Sequence, residues 1–241
     1  MNDIGKPDPG VRHNLSPMQS YYAARAGEYD RIYEKPERQS DLRQIEQWLP
    51  PLLSDARVLE VACGTGYWTQ FIARTASAVV AIDSAPETLE IARQRVSASG
   101  VLFELGDAYA LAGTHRSFDA AFAGFWFSHV PLERQRGFLA GLNAALKPGA
   151  HVVLLDNLFV EGSSSPIAEQ DGTGNTYQHR HLSDGSTHRV LKNFPTEAQL
   201  HALAAERLGE HASYHRWQYY WAFEYRVPGP GPAASGERQA R

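Results

Sequence analysis

A carboxylate and two glycines follow one another closely in residues 58–69, VLEVACGTGYWT. A glycine-rich turn after a first strand presents backbone N–H groups and a helix N-terminus to a ligand. Dinucleotide sites use Gly-x-Gly-x-x-Gly, but here Thr69 stands at the third glycine position and Trp68 precedes it. The carboxylate of Glu60 repels a phosphate and attracts an ammonium or sulfonium group. The pattern therefore favours a cationic ligand over a pyrophosphate.

Two further side chains are candidates for catalysis. His129 lies in FWFSHV (125–130), just beyond a predicted strand, where an imidazole could take a proton near neutral pH. The alternative is that His129 holds a loop by a hydrogen bond. Tyr22 lies in the predicted helix SYYAARAGEYD (20–30), where it either bounds the site or packs as part of an amphipathic face. Phe125 and Trp126 are predicted to form pocket wall.

Residues 157–194 are predicted to be an insertion that contains a β-hairpin. The segments TYQHRHL and THRVLKN flank a turn at Asp184-Gly185. Tyr177, His179 and His181 share one face of this hairpin, and we expect them to form a substrate lid. The alternatives are a solvated loop and a zinc site, although no cysteine or well-placed carboxylate accompanies the histidines.

Alternating apolar and amphipathic segments indicate how these residues are positioned. The runs 57–63, 78–83, 101–105, 118–126 and 150–156 are predicted as buried strands. Helices are predicted at 84–96, 131–146 and 196–207, the first and last with capping boxes, Ser84 with Glu87 and Thr196 with Gln199. Aromatic residues alternate through 211–226, which predicts an antiparallel pair at the sheet edge. The order predicts an α/β/α sandwich around a mostly parallel sheet.

Composition limits the classes of protein and partner. The 241 residues carry a formal charge of -4 without basic clusters, which disfavours nucleic-acid binding. Cys63 is the only cysteine, and no run approaches the length of a membrane span, so we expect a cytoplasmic protein without a membrane partner. Residues 1–15 and 227–241 are predicted to be disordered. One domain, 16–226, is expected between them, with a helical cap at 16–50 and the lid at 157–194.

Five landmarks in this order resemble class I S-adenosylmethionine-dependent methyltransferases. The first is VLEVACGTG, although Ala62 stands where that family usually has a glycine. The others are Asp83 after the second strand, GDA (106–108), GFWFSHV (124–130) and LKPGAHVVLLD (146–156). The likeness covers roughly residues 18–226. It implies a Rossmann-like fold with a seven-stranded sheet.

The resemblance also implies a cofactor site. The glycine turn would hold the methionine part of S-adenosylmethionine, Asp83 the ribose hydroxyls, and the segment at Asp107 the adenine edge. The residues assigned to the cofactor are Glu60, Ala62, Gly64, Gly66, Asp83, Ser84, Asp107, Ala108 and Phe125. Trp126, Tyr177, His179 and His181 are assigned to the acceptor.

The activity implied is methyl transfer to a small-molecule N, O or C nucleophile without a metal, leaving S-adenosylhomocysteine. Several alternatives stay open at this point. They are methylation of a carboxylate or a macromolecule, an NAD(P)-linked oxidoreductase, and a non-catalytic cofactor-binding scaffold. The aromatic residues suggest a flat or partly apolar acceptor. The acceptor's identity and the oligomeric state are not indicated by the sequence.

Overall fold

A computed structural model describes residues 26–111, 118–205 and 212–229, with side chains omitted at positions 26, 27 and 29. Tyr22 and the predicted disordered segment 1–15 lie outside the described residues. Within these ranges, no helix has both the length and the apolar composition needed to cross a bilayer.

Seven of the described strands form one sheet, in the order β3-β2-β1-β4-β5-β10-β9. The first five are parallel, and β10 and β9 are antiparallel at one edge. The strands are β1 (Arg57–Val61), β2 (Ala78–Asp83), β3 (Val101–Leu105), β4 (Phe118–Gly124), β5 (Leu146–Asn157), β9 (Ala212–Arg216) and β10 (Tyr220–Arg226). This arrangement confirms the predicted fold class, including the antiparallel edge.

Helices cover both faces of the sheet because each turns an apolar stripe toward it. The apolar residues of α1, α2 and α3 pack on one face, and those of α4 and α5 on the other. The helices are α1 (Gln39–Leu52), α2 (Thr69–Ile72), α3 (Pro86–Arg95), α4 (Leu132–Ala144) and α5 (Glu197–Ala205). Short 3-10 segments precede α1 and follow β4, at Ala26–Tyr33, Pro36–Arg38 and Phe127–His129.

The insertion after β5 forms a small separate sheet. Its strands are β6 (Glu169–Gln170), β7 (Thr176–His181) and β8 (Thr187–Leu191), all antiparallel. The hairpin of β7 and β8 confirms the turn predicted at Asp184-Gly185. Strand β6 was not predicted, because two residues carry no usable periodicity.

One of the two predicted capping boxes is wrong. Helix α3 begins after Ala85 and has no side-chain cap from Ser84. Instead, the Asp83 carboxylate accepts hydrogen bonds from the Ala85 N–H at 2.9 Å and the Thr88 hydroxyl at 3.1 Å. The side chain at the end of β2 thus contacts the start of α3, and Ser84 does not.

The second predicted capping box, of Thr196 with Gln199, is present. The Thr196 N–H donates to Gln199 Oε1 at 2.8 Å, and the Gln199 N–H donates to Thr196 Oγ1 at 3.2 Å, which confirms the box.

The predicted disordered segment 227–241 begins with an ordered residue. Val227 is buried, and its N–H donates to the Ala150 carbonyl at 2.9 Å. Residues 230–241 lie outside the described part of the chain.

Candidate active site

Three residues of the turn after β1 adopt left-handed backbone conformations. The φ angles of Ala62, Gly64 and Gly66 are +55°, +55° and +75°. Glycine takes such angles without steric cost, whereas alanine does not. A Cβ on Gly66 would lie 3.1 Å from the Cβ of Ala92 in α3, so this glycine also permits close packing of turn and helix.

Glu60 is a buried carboxyl group. Its Oε2 atom has no hydrogen-bond partner among the described residues. Burial raises the pKa of Glu60 to about 8, and the nearby charge of Asp83 acts in the same direction. A cationic ligand group would restore the ionised form, because an opposite charge lowers a carboxyl pKa.

Asp83 joins the end of β2 to the glycine turn. Its Oδ2 accepts a hydrogen bond from the Gly64 N–H at 2.8 Å, while Oδ1 accepts from Ala85 and Thr88. Burial raises the pKa of Asp83, and these hydrogen bonds oppose that rise. Each carboxylate oxygen can accept more than one hydrogen bond, so these contacts leave capacity for ribose hydroxyls.

The segment after β3 lies beside Asp83. The Gly106 N–H donates to the Asp83 carbonyl at 2.9 Å. Asp107 is exposed and accepts from the Tyr109 N–H at 2.8 Å, whereas Ala108 is buried and Ser84 is exposed. The ends of β1, β2 and β3 thus bring the predicted cofactor residues to one edge of the sheet.

The two aromatic residues after β4 point to different regions. Phe125 has a φ of +57°, donates its N–H to the Leu155 carbonyl at 2.7 Å, and lines a cavity. Trp126 is not among that cavity's lining residues and packs against Tyr109, with ring centroids 5.7 Å apart. Trp126 therefore lies on the side of the segment assigned to adenine, and not with the predicted acceptor residues.

The cavity lined by Phe125 lies beyond the carboxyl ends of β4 and β5. The cavity has a volume of about 110 Å³, which suits a small acceptor. Its described lining residues are Ile32, Lys35, Arg38, Phe125, His129, Asn157, Ser163, Ser164, Ser165, Gln178, Arg180, Val190, Lys192 and Phe194.

His129 lines this cavity as a neutral side chain. Its Nδ1 lies 2.6 Å from the Leu191 carbonyl oxygen, so the proton is on Nδ1 and the ring holds the end of β8. Burial lowers the pKa of His129 to about 3, and the charge of Lys192 acts in the same direction. This places its titration far below neutral pH, whereas an ordinary histidine titrates near 6.5.

A buried ion pair anchors the hairpin to the sheet. Lys192 Nζ lies 2.7 Å from Asp156 Oδ1 and donates to the Ser128 hydroxyl at 2.6 Å. Asp156 Oδ2 accepts from the Ser128 N–H at 3.0 Å. Burial acts to raise the pKa of Asp156, but the charge of Lys192 and the hydrogen bonds from Lys192 and Ser128 act against it, and the net shift is downward. These contacts fix the segment after β8 over the ends of β4 and β5.

The two faces of the hairpin differ from the sequence expectation. Tyr177, His179 and His181 do not line the cavity; His179 contacts Glu169 on the outer side, and both histidines are exposed. The residues of alternate parity, Gln178 and Arg180, line the cavity instead. A period of two predicts two faces but does not tell which one turns inward.

Residues before α1 close the site from the other side. Asp30 accepts a hydrogen bond from the Thr65 hydroxyl at 2.7 Å and forms an ion pair with Arg95. The Tyr33 ring stacks on Tyr67, with centroids 3.5 Å apart. Glu28 accepts from the Ser183 N–H at 3.1 Å at the hairpin tip. This part of the predicted cap therefore contacts both the glycine turn and the lid.

Sequence reasoning missed the cavity's basic residues. Lys35, Arg38 and Arg180 are scattered in the sequence, and Lys192 sits in a segment read only as a strand. The alternation in β7 was the one available signal, since it paired Gln178 with Arg180 on a common face. Among the described residues, no group of three or more His, Cys, Asp or Glu side chains is arranged to hold a metal ion.

Comparison with known proteins agrees with this geometry. A family model described as a methyltransferase domain matches residues 58–149. Demethylmenaquinone methyltransferase of Lactiplantibacillus plantarum is 34% identical over 112 residues, which are 44% of this chain and 46% of the relative. The chain thus spans less than half the length of the curated relatives it matches first.

Two solved structures are similar over most of the chain. A DhpI–SAH complex is 29% identical, covers 89% of this chain and 96% of its own, and has a TM-score of 0.73. A DhpI–SAM–HEP complex is 27% identical, covers 86% and 95%, and has a TM-score of 0.72. SAM and SAH here are S-adenosylmethionine and S-adenosylhomocysteine.

The strand order, the glycine turn and these similarities define the class. The family-model match, the named relatives and the similar structures support a class I S-adenosylmethionine-dependent methyltransferase. The cofactor of this family is S-adenosylmethionine.

Proposed function

We propose that this protein transfers a methyl group from S-adenosylmethionine to a small molecule bound in the cavity beyond β4 and β5. The observation that carries the proposal is the adjacency of two sites at one sheet edge. The glycine turn with Glu60 and Asp83 follows β1 and β2, and the cavity with Phe125 and His129 follows the neighbouring strand β4. Ligands of open α/β sheets bind outside the carboxyl ends of the strands at such a point.

The residues present fit the cofactor. The partnerless, buried Oε2 of Glu60 offers an acceptor for an ammonium group, and Asp83 offers carboxylate oxygens for the ribose hydroxyls. Asp107, the backbone of Ala108 and Ser84 are assigned to the adenosine part of the cofactor, whereas Phe125 lines the neighbouring cavity. When bound, S-adenosylmethionine would supply a methyl group on a positively charged sulfur. A lone pair of the acceptor would bond to the methyl carbon as the carbon–sulfur bond breaks, with the sulfur leaving in line as the neutral thioether of S-adenosylhomocysteine.

The chain's own contribution is mainly to position the acceptor. Alignment of two reactants can supply several kcal/mol, up to roughly 7–11 kcal/mol in ideal cases. His129 lines the cavity, and its proton lies on Nδ1, directed at the Leu191 carbonyl. We infer that its ring helps to position the acceptor, and its lowered pKa makes it a weak base.

Binding and turnover test the proposal together. S-adenosylhomocysteine is expected to raise the melting temperature, as any ligand of the native state does, and NADH is not. Asp83→Ala should weaken S-adenosylhomocysteine binding by about tenfold or more, since hydrogen bonds to charged groups contribute about 1.5–3 kcal/mol each. Asp119→Ala is the matched control, because Asp119 lies at the other end of β4 and pairs with Lys147.

Two results would contradict the proposal. Binding of NADH without binding of S-adenosylhomocysteine would favour the oxidoreductase alternative. Binding of S-adenosylhomocysteine without transfer of labelled methyl to any compound in a broad acceptor panel would favour the non-catalytic scaffold.

A further inference from the structure

The cavity assigned above to the acceptor is strongly basic. Four cationic side chains line it, Lys35, Arg38, Arg180 and Lys192, and none of its described lining residues is Asp or Glu. The chain as a whole has a formal charge of -4, so this concentration of positive charge is local. A cleft with one sign of charge raises the local concentration of ligands of the opposite sign.

Nearby carboxylates compensate this charge only in part. Asp156 pairs with Lys192, and Glu37 lies at the exposed rim, where it accepts from the Ser163 hydroxyl at 2.8 Å. The side-chain hydrogen bonds described for Lys35 and Arg38 go to neutral groups. They join Lys35 to the Ser163 carbonyl, and Arg38 to Asn157 Oδ1 at 2.7 Å and Ser163 Oγ at 3.0 Å. Arg180 lies beside them on β7 and contacts Gln178 Oε1 at 2.6 Å.

Mutual repulsion among these groups shows that they share one environment. Burial lowers the pKa of Lys35, and the charges of Arg38 and Arg180 lower it further. Burial likewise lowers the pKa of Lys192, despite its partner Asp156. An anion bound among them would offset this repulsion, because opposite charges at short range favour the ionised forms.

Arg38 is held in place before any ligand arrives. Its side chain is 5% exposed, its guanidinium lies 5.2 Å from the ring centroid of Tyr219 and 5.6 Å from that of Tyr220, and Asn157 fixes one nitrogen. A planar guanidinium matches the geometry of carboxylate and phosphate groups, and preorganisation lowers the cost of binding.

We propose that the methyl acceptor carries an oxyanion group, a carboxylate, phosphate, phosphonate or sulfonate, that binds among Lys35, Arg38 and Arg180. This rests on the proposed methyltransferase function. The anionic group would lie toward the cap and the hairpin, and the rest of the acceptor toward Phe125 and His129. The aromatic composition suggested a flat or apolar acceptor, but most aromatic residues lie in the core and not in this cavity.

Simple anions can test the site without knowledge of the acceptor. Potassium phosphate, sulfate and acetate are titrated into the protein saturated with S-adenosylhomocysteine, with potassium chloride at equal ionic strength as the reference. We expect saturable binding of at least one oxyanion by calorimetry and a rise in melting temperature beyond the chloride reference. The relative affinities of the three salts indicate which oxyanion the site prefers.

Variants locate the binding in the cavity. Arg180→Gln and Lys35→Gln should each weaken oxyanion binding by about tenfold or more, as loss of a close charge contact does. Arg189→Gln is the matched control, because Arg189 is on the neighbouring strand of the same hairpin and contacts Glu169 outside the cavity. It should leave the affinity unchanged. The affinity for S-adenosylhomocysteine is measured on every variant. An unchanged affinity shows that the variant is folded and that its cofactor site is intact.

The outcomes separate this proposal from the function on which it rests. If S-adenosylhomocysteine binds but no oxyanion binds saturably, or if the cavity variants bind oxyanions like the control, the anionic acceptor is wrong and the methyltransferase proposal stands. If S-adenosylhomocysteine itself does not bind, the proposed function fails. With labelled cofactor, pairs of acids and their amides offer the final check, because only the acids should accept methyl at appreciable rates.

Discussion

The two halves of the candidate site are built in different ways. In the cofactor half, Glu60, Asp83 and Asp107 come from the ends of three successive strands that pair side by side. In the acceptor half, contacts join segments far apart in the chain. Arg38 binds Asn157 and Ser163, which are 119 and 125 positions away.

Sequence patterns predict the position of a side chain where neighbouring elements determine it. A strand, a glycine turn and a helix position the cofactor residues locally, so the same spacing produces the same geometry. The acceptor half depends on how a cap and a hairpin dock on the sheet, and docking is governed by long-range contacts. Substitutions in the two halves should therefore have separable effects on stability and cofactor affinity.

The largest effect should come from the ion pair that docks the hairpin. Lys192→Met leaves Asp156 as a buried carboxylate without its counter-ion, and breaking such a pair by removing one partner costs about 3–5 kcal/mol. We expect this loss in the free energy of unfolding, measured by urea denaturation. The affinity for S-adenosylhomocysteine should change by only about twofold, because the two halves share few contacts.

A double variant controls for the buried charge. Asp156→Asn combined with Lys192→Met removes both charges and should be less destabilised than the sum of the single variants. An equal loss of stability and of cofactor affinity in Lys192→Met would show that the halves are not independent.

The outcome at particular residues shows what the sequence could predict. The parallel order, the edge pair, the hairpin turn and the Thr196 box follow from local periodicity and turn chemistry. The Ser84 cap was wrong because α3 begins one residue later, after Ala85, where the Asp83 carboxylate accepts the Ala85 N–H. The cavity's cations were missed because docking, and not spacing, brings Lys35 and Arg180 together.

Glu60 provides the largest test within the cofactor half. Its folded-state pKa of about 8 lies above the ordinary value of 4.5, so its protonated form stabilises the fold and that contribution is lost as pH rises from 4.5 through 8. Between pH 5 and pH 8 the protein should lose roughly 3 kcal/mol of stability from this group. Glu60→Gln, which mimics the protonated form, should remove that pH dependence while weakening S-adenosylhomocysteine binding.

Proton release distinguishes this role from simple packing. If the cofactor's ammonium meets Glu60, binding should ionise the carboxyl and release close to one proton at pH 7. Calorimetry in two buffers of different ionisation enthalpy measures this number. Glu60→Gln should release none, whereas equal release in both proteins would assign the proton to another group.

His129 gives a smaller effect with the opposite sign. Its folded-state pKa of about 3 lies below the ordinary value of 6.5, so the unfolded chain binds a proton first and stability falls as pH drops below 6.5. At pH 5 this amounts to about 2 kcal/mol relative to pH 7. His129→Gln should lack this component, as judged from urea denaturation of both proteins at the two pH values. The single-turnover rate of the parent protein should show no step near pH 6.5; such a step, absent from His129→Gln, would restore the general-base role.

Ala62 should give the smallest effect, and it tests how closely the turn matches its family. Alanine at a φ of +55° is strained by about 1–2 kcal/mol relative to right-handed backbone, and glycine is not. Ala62→Gly relieves that strain but gives the unfolded chain more freedom, which costs about 0.4–1 kcal/mol. We therefore expect a net gain of about 0–1.6 kcal/mol in the free energy of unfolding. Gly66→Ala is the contrasting variant, since it adds the same methyl group where the Cβ of Ala92 lies 3.1 Å away. It should destabilise the protein and weaken S-adenosylhomocysteine binding, whereas Ala62→Gly should leave that affinity nearly unchanged. A clear loss of stability in Ala62→Gly would mean that the Ala62 methyl group makes a packing contribution larger than the backbone strain it carries.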